Sequence, residues 1–182
     1  PKKDHLDKTV IDHYHTVLDS LKKRKIVPFV TLHHFTEPLW LDKLGGIERS
    51  QNLKYFTQFV EIVAKEFSEK VVYWNTINEP NIRAVLGYYI GVHPPGKTGM
   101  INYIKSLRNL LRMHAKAYQI LKTENPENQV GIVKNINLFE PYNPHSRVDK
   151  TIAWIMDEAM NRNTLRGIKK GKLPFSFLRK YP

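Results

Sequence analysis

An α/β chain with parallel strands follows from two features of this sequence. Amphipathic segments of helical period alternate with short apolar runs too brief to be independent helices. No hairpin-type turn joins consecutive apolar runs, so each strand reaches the next through a helical crossover, the connection that parallel pairing requires. Such crossovers are right-handed and set functional groups at the carboxyl ends of the strands.

In order, the first element is a helix from Lys8 to Lys25, where Val10, Ile11, Tyr14, Val17, Leu18 and Leu21 recur at spacings of three and four as one buried stripe. Ile26 to Leu32 (IVPFVTL) is a near-continuous apolar run and reads as a buried strand, with His33-His34-Phe35 at its end. Gly45-Gly46 breaks the chain. From Glu48 to Lys70 a second stripe of Leu53, Phe56, Phe59, Val60, Val63, Ala64 and Phe67 predicts another helix. It leads into Val71-Val72-Tyr73-Trp74, whose β-branched and aromatic residues predict a short buried strand. Residues 80 to 100, rich in glycine and proline through GVHPPGKTG, are expected to form a long irregular loop of the functional kind. A third amphipathic helix is predicted from about Tyr103 to Lys122, on Leu107, Leu110, Leu111, His114, Tyr118 and Leu121. A third buried strand follows at Gln129 to Ile136 (QVGIVKNI), with Asn135 and Asn137 at its end, and a last helix runs from Asp149 to about Gly167. The order is α-β-α-β-α-β-α, read as one domain over residues 1–182.

Composition narrows the function classes. With 41% hydrophobic residues in 182, the chain can bury a substantial core and does not read as disordered. No apolar run approaches the ~18 to 20 residues needed to cross a bilayer, and Pro1-Lys2-Lys3-Asp4 does not open like a signal peptide. The chain begins on Pro1 rather than Met, which suggests a processed product or a piece of something longer. The absence of cysteine excludes disulfides and thiolate metal sites and fits a cytoplasmic location. The 29 Lys+Arg against 17 Asp+Glu, a formal charge of +12, raise nucleic-acid binding as a reading. The cations are scattered, however, and the small clusters Lys22-Lys23-Arg24-Lys25 and Lys169-Lys170 fall at predicted helix ends, where they complement the helix dipole. Aromatics do not interleave with them and no glycine loop cradles phosphate, so neither nucleic acid nor membrane is an expected partner.

The stretch VVYWNTINEPN (71–81) carries the chemistry. Pro80 has no amide hydrogen and pushes the residue before it away from helical geometry, so the chain leaves the strand there with Glu79 on a rigid edge. A solvated glutamate before a turn is the plain alternative. His34 and Asn137 lie at the other two predicted strand ends. A metal-dependent hydrolase on His33, His34 and Glu37 is conceivable, but adjacent histidines on a strand point to opposite faces. Three strands with their helices do not close a (β/α)8 barrel, which takes ~250 residues, so either the sheet is open or chain is missing.

Three motifs in order, TLHHFTEP (31–38), YWNTINEP (73–80) and GVHPPG (91–96), resemble the family 1 glycoside hydrolases, the β-glucosidase and phospho-β-glucosidase family. The likeness covers essentially the whole chain, from a counterpart of the family's second helix through its third, fourth and fifth strands. It implies a partial (β/α)8 TIM barrel of three parallel strands with flanking helices, a β-linked glycoside as substrate, and no metal or cofactor. It implies further that Glu79 is the general acid/base of a retaining glycosidase, whose raised pKa lets it protonate the leaving oxygen and then act as base toward water. Asn78 would hydrogen-bond the sugar 2-hydroxyl and His34 a further sugar hydroxyl. Phe35, where many relatives have tryptophan, would keep an aromatic wall without the indole donor, and Asn137 would also contact substrate.

The partner carboxylate is the difficulty. A retaining pair stands ~5 Å apart, and the family supplies its nucleophile in a Thr-Glu-Asn-Gly motif late in the barrel. Thr123-Glu124-Asn125 is not that motif: it follows a helix rather than ending a strand, and Pro126 replaces the glycine. Glu37 and Glu140, each followed by proline, are cleft-lining candidates but do not resemble the nucleophile. The chain is therefore expected to be silent by itself, with the missing barrel half as a partner. A noncatalytic carbohydrate-binding remnant is the alternative.

Overall fold

Three strands, β1 (Phe29–His33), β2 (Tyr73–Asn78) and β3 (Gln129–Val133), pair in parallel in the order β1-β2-β3 in the computed structural model, which describes residues 6–171. The opening Pro1-Lys2-Lys3-Asp4 lies outside the described residues. The helices are α1 (Lys8–Lys23), α2 (Leu39–Lys43), α3 (Leu53–Phe67), α4 (Pro80–Ala84), α5 (Met100–Glu124), α6 (Arg147–Asp157) and α7 (Asn163–Lys170). The alternation expected from periodicity is the one the chain adopts: α1 precedes β1, and α3 and α5 are the main helices of the two crossovers. None of the described helices is long and apolar enough to cross a membrane.

The chain divides into two compact units, one running up to Asn78 and resuming over Arg112–Val133, the other comprising Glu79–Leu111 and the chain from Lys134 onward. The first unit holds the sheet. Its core is Leu18, Val60, Ala64, Phe67, Val71, Trp74, Ala117 and Leu121, against which Val30, Leu32 and Val130 pack. The register pairs Phe29 with Tyr73 and His33 with Ile77, then Tyr73 with Gln129 and Asn78 with Val133, with an irregularity between Asn75 and Asn78. In the second unit Ala84, Tyr88, Leu107 and Leu110 are buried beside polar side chains as deeply enclosed, among them Asn81, Arg83, Asn109, Asn163 and Thr164.

Several boundaries differ from expectation for physical reasons. Ile26 and Val27 are exposed and precede β1 rather than belonging to it. They follow the end of α1: Lys25 takes a left-handed conformation (φ 58°), its amide donates to the Lys22 carbonyl, and the Ile26 amide reaches back to Leu21 at 3.0 Å. This pair of bonds is a Schellman closure of the helix. The α1 stripe is only half realised, since Leu18 is buried and Ile11 and Leu21 pack on the core, while Val10, Tyr14 and Val17 are exposed. The third strand stops at Val133, leaving Ile136 exposed. The largest correction concerns residues 80 to 100. Instead of one irregular loop, Pro80–Ala84 forms α4 and Val85–Ile90 continues as a π-helical turn, leaving only 91–99 irregular. Proline at the first helical position starts a helix without loss, because that amide would have no partner within it. The cationic clusters do fall in the last turns of α1 and α7.

Candidate active site

The carboxyl end of β2 is built from inside out. Trp74 and Ile77 are buried, and the Trp74 indole donates to the Val71 carbonyl and to Asn128 Oδ1, each at 3.1 Å. Thr76, also buried, meets His114 Nδ1 at 2.7 Å, and burial holds the His114 imidazole below its ordinary pKa. Asn78 closes the strand with its side chain largely enclosed.

Glu79 follows in the left-handed region (φ 42°, ψ 62°), a conformation that costs a non-glycine residue ~1 to 3 kcal/mol. It is half-buried and stands at the head of α4, where its carbonyl accepts the Arg83 amide at 3.0 Å. Its side chain makes no capping bond to the helix. Lys134, directly after β3, belongs to the same unit. Asn78 and Val133 are register partners in the parallel ladder, so Glu79 and Lys134 each lie one step beyond that pair. Burial holds the Lys134 ammonium below its ordinary pKa, and the Glu79 carboxylate pulls in the opposite direction. The ammonium also donates to the Asn135 carbonyl.

The remaining candidates are placed as follows. His34 comes directly after β1, is exposed, and meets the Phe35 ring edge-on at 5.3 Å between centroids. Since His33 pairs with Ile77, His34 falls in register beside Asn78 within the first unit. Phe35 has a left-handed backbone (φ 67°), the same feature as Glu79 at the corresponding turn of the next strand. His33 is buried, opposite in exposure to His34, and its Nε2 lies 2.9 Å from Glu37. Glu37 is thus tied to His33, and the two line a cavity of about 690 Å³ in the first unit with Trp40, Tyr55 and Phe56. Among the described residues no group of three or more His, Cys, Asp or Glu side chains is placed to hold a metal ion. Asn137 lies in the second unit, clasped through its backbone by the Asn161 amide, which accepts from its N–H at 3.2 Å and donates to its carbonyl at 2.7 Å. Glu124 is the exposed last residue of α5, and Glu140 is exposed.

Sequence reasoning missed Lys134, Asn81 and Arg83. Lys134 was visible as the single cation of the run Gln129 to Ile136. The other two gave no signal, because their partners are distant or lie in the segment read as a loop.

A family model described as Glycosyl hydrolase family 1 matches residues 2–181. A 1,4-beta-D-glucan glucohydrolase of Thermotoga neapolitana is 32% identical over 131 residues, covering 72% of this chain and 31% of that protein. A 6-phospho-beta-galactosidase of Staphylococcus epidermidis is 34% identical over 163 residues, 89% of this chain and 34% of the relative. A beta-glycosidase from Pyrococcus horikoshii is similar in structure with a TM-score of 0.92 at 35% identity, covering 100% of this chain and 42% of that one. A family 1 β-glucosidase from Thermotoga maritima in complex with isofagomine lactam gives 0.88 at 29% identity, over 93% and 38%. The chain spans about a third of the length of these curated relatives.

Proposed function

Because this chain belongs to glycosyl hydrolase family 1 and its three parallel strands with flanking helices are part of a (β/α)8 barrel, we propose that it carries the acid/base half of a retaining β-glycosidase. The 182 residues then form one incomplete barrel segment, and β-linked glycosides are the substrate class. The observation that carries this reading is the position of Glu79: a half-buried carboxylate immediately after Asn78 at the end of β2, uncommitted to capping.

In the proposed reaction Glu79 gives its proton to the glycosidic oxygen as the bond to the anomeric carbon breaks and a second carboxylate forms the glycosyl–enzyme ester. Glu79, now ionised, takes a proton from water as that water attacks the anomeric carbon and releases the nucleophile. Asn78 hydrogen-bonds the 2-hydroxyl, His34 another sugar hydroxyl, Phe35 offers an apolar wall and Asn137 a further polar contact. The nucleophile is supplied from outside these residues, since Glu124 ends a helix and Glu37 is engaged with His33. No metal or cofactor takes part.

The test is release of 4-nitrophenol from its β-glucoside by the purified 182-residue chain. No turnover above buffer is expected. Turnover that disappears in Glu79→Gln would place the nucleophile within this chain and overturn that part of the reading.

A further inference from the structure

We propose that Arg83 and Asn81 are positioning residues that hold Glu79 in its left-handed conformation and so aim its carboxylate, a role that rests on the acid/base reading of Glu79. A left-handed non-glycine residue persists only where its surroundings over-determine it, and α4 is fixed on two sides within the second unit.

On one side, Asn81 is fully buried. Its amide nitrogen donates to the Met160 carbonyl at 3.2 Å, and its Oδ1 accepts the Tyr103 hydroxyl at 2.9 Å. Burial pushes the Tyr103 phenol up to about 12, against a hydrogen bond with Asn163 that favours ionisation, so at neutral pH the hydroxyl keeps the proton it donates. On the other side, the Arg83 side chain is enclosed. The Arg83 main-chain N–H donates to the Glu79 carbonyl at 3.0 Å, and its side-chain Nη1 donates to the Pro94 carbonyl at 2.7 Å with the guanidinium over the Tyr88 ring at 5.2 Å. One residue therefore links the backbone of Glu79 to the 91–99 loop. A buried guanidinium is no more stabilising, and often less so, than a well-packed apolar side chain of the same volume, so its value here lies in directional reach.

Two further features serve that reach. A Cβ at Gly87 would stand 2.1 Å from Arg83 Nη1 and 2.9 Å from the Pro94 oxygen, so only glycine lets the guanidinium through. The loop carrying Pro94 is tied to the π-helical turn by His93 N–H to the Leu86 carbonyl and Lys97 N–H to the Gly87 carbonyl, each at 3.0 Å. The GVHPPG segment thus acts as the anchor for the Arg83 side of the clamp.

The test reads the Glu79 backbone in the 182-residue chain by NMR, since a positive φ gives a strong intraresidue amide-to-Hα NOE. Arg83→Met and Asn81→Leu are expected to lose it, Arg83→Lys to retain part of it, and Leu107→Ala, a buried apolar truncation in the same unit, to lower Tm while keeping it. Should Arg83→Met not fold, Gly87→Ala displaces the guanidinium instead. An unchanged NOE in the clamp variants, or equal loss in Leu107→Ala, overturns the proposal. In the gene product as its own cells make it, Arg83→Met is expected to lower kcat by about 10²-fold with KM within about twofold, as for a displaced catalytic group. The NOE needs no glycoside turnover. A clamp seen by NMR in a protein whose hydrolysis ignores Glu79 would refute the acid/base reading alone.

Discussion

Around β2 in the first unit the enclosed side chains are mostly apolar, Trp74, Ile77, Val60, Ala64 and Leu121 with Thr76 and Asn128 among them; around α4 in the second, Asn81, Arg83, Asn109, Asn163 and Thr164 are enclosed beside Ala84, Tyr88, Leu107 and Leu110, a larger polar share. Apolar packing is non-directional and tolerates exchange of similar volumes, whereas a buried hydrogen bond demands its partner at one distance and angle. The first unit supplies a stable platform from which β2 emerges. The second supplies geometry, and the strained Glu79 belongs to it.

That contrast can be broken most forcefully in the first unit. Trp74→Ala removes the largest side chain of the core and strands the Asn128 acceptor, so a loss of about 3 to 5 kcal/mol is expected by chemical denaturation. In the second unit Tyr103→Phe keeps the ring and removes the hydroxyl that donates to Asn81 and bonds Asn163, with an expected cost of about 1 to 3 kcal/mol. If the phenylalanine variant were the costlier, the division of labour would be wrong.

A smaller effect appears with pH. The folded His114 imidazole binds its proton less readily than the ordinary pKa of 6.5, because it is buried. As pH falls through about 6.5 the unfolded chain takes up that proton first, so stability declines until the lower folded value is reached. Wild-type denaturation midpoints should therefore fall more steeply than those of His114→Gln between pH about 7.5 and 5.5. The smallest expected change concerns the pair at the site. Glu79→Gln removes the carboxylate that supports the Lys134 ammonium, so the Lys134 amine, followed by NMR, should titrate lower still.

The two regions were also unequally legible. In the first unit Val60, Val63, Ala64 and Phe67 announce α3 through their spacing, and the short apolar runs announce the parallel strands, because period and composition are local. The α4 segment was hidden by its glycine- and proline-rich neighbours. Asn81 and Arg83 look like surface residues until Tyr103, Met160 and Pro94 are brought to them. The places of Glu79, Asn78 and His34 at strand ends could be read from the sequence. The left-handed turn at Glu79 could not be, since nothing in Asn-Glu-Pro specifies a positive φ.

The most direct measurement of the central claim compares two leaving groups in the gene product as its own cells make it. Loss of an acid catalyst slows departure of a poor leaving group and scarcely affects one that needs no proton. Glu79→Gln is expected to reduce kcat/KM by about 10²- to 10⁴-fold for an alkyl β-glucoside and far less for the 2,4-dinitrophenyl β-glucoside. Equal losses for both substrates, or none for either, would contradict Glu79 as the acid/base.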